Sequence, residues 1–290
     1  MRFKHQSNDK KSAVAIALLS SFLFSTSASA LTWSNNSLGW RYGTDFAEPY
    51  KNNNDGSRTD IKKQIYSFTH ASGYAYGTNF LNVDFLQSSS EPNTTQAGGK
   101  GTQEAYLVYR NNIDIGKVFK TDLSSQGIQG YALTAGLDWN TKNDGYGSKK
   151  QMWVVGPTIN FDVPGFLSLS ALVFFESNKP SAVNKRYNYD PHAAFQLSWG
   201  MPIGKTPLSF EGFALWIDSK GKNEFGGKTA AETNIDARVM YDLTSLWGKN
   251  DKTFRAGFEY QYWHNKFGNP TTGNKGATAS TPMIRVDYNF

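Results

Sequence analysis

The chain contains no cysteine, which removes disulfides and thiolate metal sites from consideration. Histidine is scarce: beyond residue 30 there are only His70, His192 and His264, and no His-Glu-x-x-His run occurs. Zinc-hydrolase chemistry therefore has no foothold. No apolar run outside the N-terminus approaches the ~20 residues that a membrane-crossing helix needs, and mean hydropathy is negative. Gly98-Gly-Lys-Gly-Thr102 has neither the spacing of a phosphate-binding loop nor a helical pattern after it, and reads as a flexible loop. Nor is there the large excess of base that a nucleic-acid binder carries. Once the first 30 residues are set aside, 26 bases face 23 acids, and no nucleic-acid partner is expected.

What is present is export signalling and alternation. Arg2, Lys4, Lys10 and Lys11 form a basic head, Ala13–Phe24 a short apolar core, and Ala28-Ser-Ala30 a small-residue cleavage site. This is the pattern of a secretory signal peptide. Residues 1–30 are expected to be removed, leaving 31–290 as one domain. At the other end, Thr281–Phe290 alternates strictly: Pro282, Ile284, Val286, Tyr288 and Phe290 share one face, and Met283, Arg285, Asp287 and Asn289 the other. That is a strand with one apolar and one polar side. It ends on an aromatic, as strands that close outer-membrane barrels do.

Comparable runs recur along the chain. The spacing predicts twelve strands, over 37–47, 60–71, 74–86, 103–112, 129–140, 151–162, 166–177, 191–202, 207–217, 232–243, 253–264 and 281–290. Long polar connections alternate with short turns, the pattern of extracellular loops and periplasmic turns. The connection over 112–128 breaks it, being long where a turn is expected. Phe, Tyr and Trp number 20, 15 and 8, enough for the aromatic girdles at the two faces of a bilayer. A soluble β-sandwich also has many short strands, but needs neither an export signal nor loop alternation. The expected fold is all-β: a twelve-stranded antiparallel up-and-down transmembrane β-barrel in the cell outer membrane.

A mid-strand charge facing lipid costs about 2–4 kcal/mol for Arg or Lys. The register therefore turns Arg41, Asp45, Asp84, Arg110, Asp138, Glu211, Arg238, Arg255, Glu259, Arg285 and Asp287 into the barrel. Phe80, Tyr106, Phe213 and Trp263 share that face. Mixed charges beside flat rings suit planar, hydrogen-bonding solutes. A salt-bridge network that merely fills the barrel is the structural alternative for each charge. His70 with Ser72 is the candidate pair for a lipid hydrolase, set against a histidine that belongs to a turn or girdle.

Several ordered segments resemble the nucleoside-specific channel-forming proteins, the Tsx family. They are Gly156–Ser170, with its Asp162-Val-Pro-Gly-Phe-Leu-Ser-Leu-Ser170 turn; Pro202-Ile203 followed by Pro207–Phe213; Tyr260-Gln-Tyr-Trp-His-Asn265; and Asp287-Tyr-Asn-Phe290. The resemblance implies a monomeric twelve-stranded barrel with a narrow, aromatic-lined, nucleoside-selective passage. Passive, selective diffusion of nucleosides and similar small solutes is accordingly expected, with no enzymatic activity and no cofactor or metal. The pore-lining candidates are Arg41, Asp45, Phe80, Asp84, Tyr106, Arg110, Glu211, Phe213, Arg238, Arg255, Glu259, Trp263 and Arg285. Expected partners are outer-membrane lipid and lipopolysaccharide, the assembly machinery through the Phe290 strand, and nucleosides. The alternatives are a lipid hydrolase or a structural or adhesion barrel.

Overall fold

The alternating runs pair in sequence order and close on themselves. The structure, a computed structural model, describes residues 31–89, 101–249 and 251–290. The predicted signal peptide and most of Gly98–Thr102 lie outside these residues.

Twelve antiparallel strands form the wall. They are β1 (Trp33–Phe46), β2 (Ile61–Tyr74), β3 (Gly77–Ser88), β4 (Gln103–Asp114), β5 (Ile128–Lys142), β6 (Lys149–Phe161), β7 (Phe166–Asn178), β8 (His192–Pro202), β9 (Leu208–Ile217), β10 (Glu232–Asp242), β11 (Phe254–His264) and β12 (Ala279–Asn289). Each pairs with its sequence neighbours, and β1 pairs with β12 from Ser37↔Asn289 to Gly43↔Met283. Phe290 completes the seam, its N–H donating to the Asn36 carbonyl and its carbonyl accepting from the Asn36 N–H, at 2.9 and 3.2 Å. A closed ladder leaves no strand edge unpaired, which is the condition for crossing a bilayer with strands.

The outer face explains why the chain is so aromatic. Leu38, Leu133, Leu169, Val173, Val239, Phe258, Ile284 and Val286 are all exposed, Phe258 at 75%. A water-soluble surface does not carry a continuous apolar belt of this kind. Aromatic side chains gather towards both ends of it. At the loop end, Phe195 and Trp216 lie 5.8 Å apart between ring centres. At the turn end, Phe254 and Tyr288 lie 5.0 Å apart.

The two ends differ as expected. Both ends of the described chain and the turns at 75–76, 162–165, 203–207 and 243–249 lie at one end. The loops over 47–60, 179–191, 218–231 and 265–278 lie at the other. In the 162–165 turn Gly165 adopts φ +89°, and an added Cβ there would come within 2.1 Å of the Gly200 carbonyl oxygen; only glycine fits. The irregular connection after β4 is a short helix, α1 (Ile115–Phe119), capped by the Asp114 carboxylate accepting from the Lys117 N–H at 3.0 Å. It ends at Lys120 in the left-handed region, so the long turn is ordered by local capping.

Candidate functional site: the barrel interior

Inward positions follow the strand parity, and the interior is filled by three kinds of contact. The first is apolar. Met152, Val154, Leu172, Phe174, Ala194 and Ile217 pack together across β6–β9, and Phe46, Ile61, Ile65 and Met283 across β1, β2 and β12.

The second is a chain of alternating charges. Arg41 bridges Asp84 on β3 and Glu259 on β11, the latter at 2.6 Å. Glu259 also accepts from Arg285 at 2.8 Å, and Arg285 reaches Asp287 at 2.8 Å. Asp287 accepts from Arg255 at 3.2 Å. Arg255 pairs with Glu211, which takes two bonds from Arg238 at 2.8 and 3.0 Å. Glu259, Asp287 and Arg285 are 2%, 1% and 4% exposed. Separately, Arg110 grips both carboxylate oxygens of Asp138, which also accepts from the Tyr106 hydroxyl at 3.5 Å. Buried charges persist only when paired in this way.

The third is a lysine-rich cap drawn in from the loops. Glu48 accepts from Lys63, from Lys142 at 3.1 Å and from Lys266 at 3.3 Å. Burial alone would raise the Glu48 carboxyl, but Lys142, Lys266 and Lys63 outweigh it and hold it well below the usual carboxylate range. Burial pushes the Lys266 amine down to about 8, against the pull of Glu48. Nearby, Glu176 takes Lys150 at 2.9 Å and Lys220 at 2.7 Å. Lys266 lies over Trp263, and Phe267 meets Trp263 edge-on with 4.9 Å between ring centres.

The sequence-predicted residues therefore have unequal fates. Arg41, Asp84, Glu211, Arg238, Arg255, Glu259 and Arg285 join one network, and Arg110 and Tyr106 a second around Asp138. Trp263 lies at the loop end, donating to Glu232 at 2.5 Å. Phe80 stands across from Arg110, and Phe213 across from Asp236. Among the described residues no ring contact joins any two of these four aromatics, so they form no continuous stacking track. Asp45 stays outside both networks. The register shifts between Gly43 and Phe46, which turns Phe46 into the apolar cluster; among the described residues the Asp45 carboxylate accepts from Thr44, at 3.2 Å. The inward charges and apolar clusters narrow the lumen from several strands at once. One recess lies at each end of the barrel. That at the loop end, about 730 Å³, is lined by the inward Glu104 and Lys142 but also by the outward Tyr66, Phe85 and Thr141, so it lies over the rim of the wall. The other, of about 320 Å³, is lined by Lys205, Ser209, Asp242 and Arg255.

Lys266, Glu48 and Lys220 are the interior residues that alternation does not reveal, since loops have no period; only their place beside strand ends hinted at them. His70 and Ser72 are bonded to each other at 3.0 Å, but on the outer face of the wall.

No family model matches the chain, and no curated protein does. Among solved structures it is similar to the translocator domain of the autotransporter NalP from Neisseria meningitidis, at 11% identity and TM-score 0.45, covering 97% of this chain and 98% of that one. It is also similar to the KdgM porin, at 8% identity and TM-score 0.43, with 88% and 99% covered. A BenF-like porin from Pseudomonas fluorescens Pf-5 aligns at 9% identity and TM-score 0.39, with 89% and 98% covered. They are outer-membrane barrels of differing role, and they carry no reading of the interior.

Proposed function

We propose that the barrel is a gated, selective passage for small, neutral solutes rich in hydrogen-bonding groups, with nucleosides as the class that fits best. The observation that carries this is the run of alternating guanidinium and carboxylate groups from Asp84 to Arg238, with a recess from the turn end reaching Arg255. Such a run offers donors and acceptors in equal measure. It gives no net attraction to an anion or a cation, and matches a ribose and the edge of a base. At the loop end a base would take the face of Trp263 that Lys266 now covers and the edge that Phe267 now meets, so solute entry and lifting of the 265–278 loop are one event. No ATP-binding motif is found in the sequence, and flux follows the concentration gradient. Binding must stay weak for a solute to leave, which places dissociation constants in the high micromolar to millimolar range, about −4 to −6 kcal/mol.

The test is ion current through the purified protein in planar bilayers. Millimolar adenosine or thymidine should reduce it. Trp263→Ala should weaken that block by about five- to a hundred-fold, the worth of stacking one base on one ring. Current that ignores nucleosides but falls with an oligosaccharide or an amino acid would overturn the nucleoside assignment. Absence of any current across the voltage range would overturn the passage itself.

A further inference from the structure

The outer face of β1–β4 breaks its own rule near the turn end. Leu38, Phe68 and Val83 continue the apolar belt there, yet beyond them outward positions carry Asn36, His70, Ser72, Asn79, Tyr109 and Asn111, with Leu81 set between His70 and Tyr109. Polar side chains on a lipid-facing wall are costly unless partnered, and these are partnered in a definite order.

His70 and Ser72 share a face because they are two apart on β2, and their Nε2 and Oγ atoms are 3.0 Å apart. The register sets Asn36 of β1 directly beside His70, with its Oδ1 at 2.8 Å from Nδ1. The Asn36 amide nitrogen points at the Phe290 carbonyl, 3.5 Å away, which turns the amide oxygen to the imidazole. An acceptor at Nδ1 keeps the proton there and leaves the Nε2 lone pair for the serine hydroxyl. That is the order of a base-activated nucleophile with an orienting third residue. Asn79 of β3 stands across from Ser72. Its Oδ1 accepts from Tyr109 at 2.8 Å and from Asn111 at 2.8 Å, and Asn111 also donates to the Tyr74 hydroxyl at 3.0 Å. The Asn79 amide nitrogen is the end left over, donating to no described residue, on the residue that the register sets across from Ser72.

We propose that Asn36, His70 and Ser72, with Asn79 as oxyanion donor, form a serine acyl-hydrolase site that opens sideways to lipid and takes the acyl ester of a glycerophospholipid. The substrate class follows from place. Acyl chains would lie along Leu38, Phe68 and Leu81, and the ester would meet the polar cluster where the apolar belt ends. In the step, Ser72 Oγ attacks the ester carbonyl carbon and its proton passes to His70 Nε2. The oxyanion accepts from the Asn79 amide. The carbon–oxygen bond to glycerol breaks and the alkoxide takes the proton from His70, leaving acyl-Ser72 and a lysophospholipid. Water then gives a proton to His70 as its oxygen attacks the acyl carbon; the fatty acid leaves and Ser72 recovers the proton. Ser72 is 1% exposed, so its hydroxyl must turn out from between its neighbours to meet the ester. Turnover should therefore depend on assembled lipid. The site is on the opposite side of the wall from the charge network and stands whether or not the barrel conducts solute.

The experiment uses the purified full chain in detergent and in phosphatidylethanolamine–phosphatidylglycerol vesicles. A fluorophosphonate probe is mapped by mass spectrometry, and fatty-acid release is followed from the vesicles. Labelling at Ser72 and release of fatty acid are expected in the wild type. Ser72→Ala and His70→Ala should abolish both, and Asn79→Ala should lower kcat by about 10²–10³-fold, the effect of losing one oxyanion donor. Unboiled gel migration reports that each variant is a folded barrel. Probe labelling elsewhere, or release equal in wild type and Ser72→Ala, would overturn the proposal. Label mapping on the wild type alone decides the matter if the variants fail to fold.

Discussion

Glu259 shows how much one residue carries in this interior. Its carboxylate is buried between Arg41 at 2.6 Å and Arg285 at 2.8 Å, on strands that meet only at the barrel seam. Removing one partner of a buried pair strands the other's charge, at about 3–5 kcal/mol. Glu259→Ala should therefore lower the unfolding free energy of the detergent-folded barrel by an amount in that range, read as a lower urea midpoint. A Glu259→Leu, Arg285→Met double variant should recover part of the loss, because it removes the Arg285 charge while Arg41 keeps Asp84 and Asp287 keeps Arg255. Denaturation followed by unboiled gel migration measures both. That Arg285 and Glu259 face inward was legible from alternation alone, since lipid tolerates neither. That they bond each other was not: Arg41 and Glu259 are 218 positions apart, and only strand register brings them together. A single shift of register between Gly43 and Phe46 turns Phe46 inward where strict alternation from Arg41 would put it outward, and nothing in the local sequence marks it. Asn36 was missed because an unremarkable asparagine gains its place beside His70 only through the pairing of β1 with β2.

At the scale of one element, the 265–278 loop is the part of the interior that can move without breaking the wall. It begins with Asn265 and Phe267 at φ 49° and 61°, a conformation that non-glycine residues adopt only when packing holds them there. Lys266 supplies that hold through the Ala47 carbonyl at 2.9 Å and Glu48 at 3.3 Å. Its amine is lowered to about 8 when buried and returns to the ordinary lysine value, ~10.4, when the loop lifts into water. Opening therefore takes up a proton between these two values. It should grow harder as pH rises from about 8 towards 10.4, by at most about 1.4 kcal/mol per unit, and should not depend on this group at lower pH. Single-channel records at pH 7 and 9.5 should show rarer opening at the higher value. Lys266→Met should remove that dependence. Strand positions were legible to within a few residues because two-residue periodicity extends over each whole strand. The inward fold of this loop was not, because Lys266 reads in sequence as an ordinary solvated base. Helix α1 was likewise hidden, its five residues being too few for a period to show.

At the scale of the whole molecule, the strands make one ring, and that ring has one closure. Eleven neighbouring pairs are joined by consecutive chain, whereas the β1–β12 pair is joined only by its ladder. Phe290 extends that ladder past Asn289 with both backbone bonds to Asn36, and its ring stacks on Tyr288 at 5.8 Å. The seam must form last, after every other strand is in register, because the chain's two ends have the largest loop to close. Deleting Phe290 removes two backbone hydrogen bonds, worth about 1 kcal/mol each, from a wall with many. A detergent-refolded variant should keep the β-sheet circular dichroism and the compact unboiled migration of the wild type, with only a small fall in the temperature at which that migration is lost. In cells the effect should be larger. If the Phe290 strand is what the assembly machinery engages, the deletion should leave little protein in the outer membrane even though the same chain refolds in vitro. Comparing membrane yield with refolding yield separates the two roles. Equal losses in both would mean that Phe290 acts only through closure, and no loss in either would remove it from closure and assembly alike.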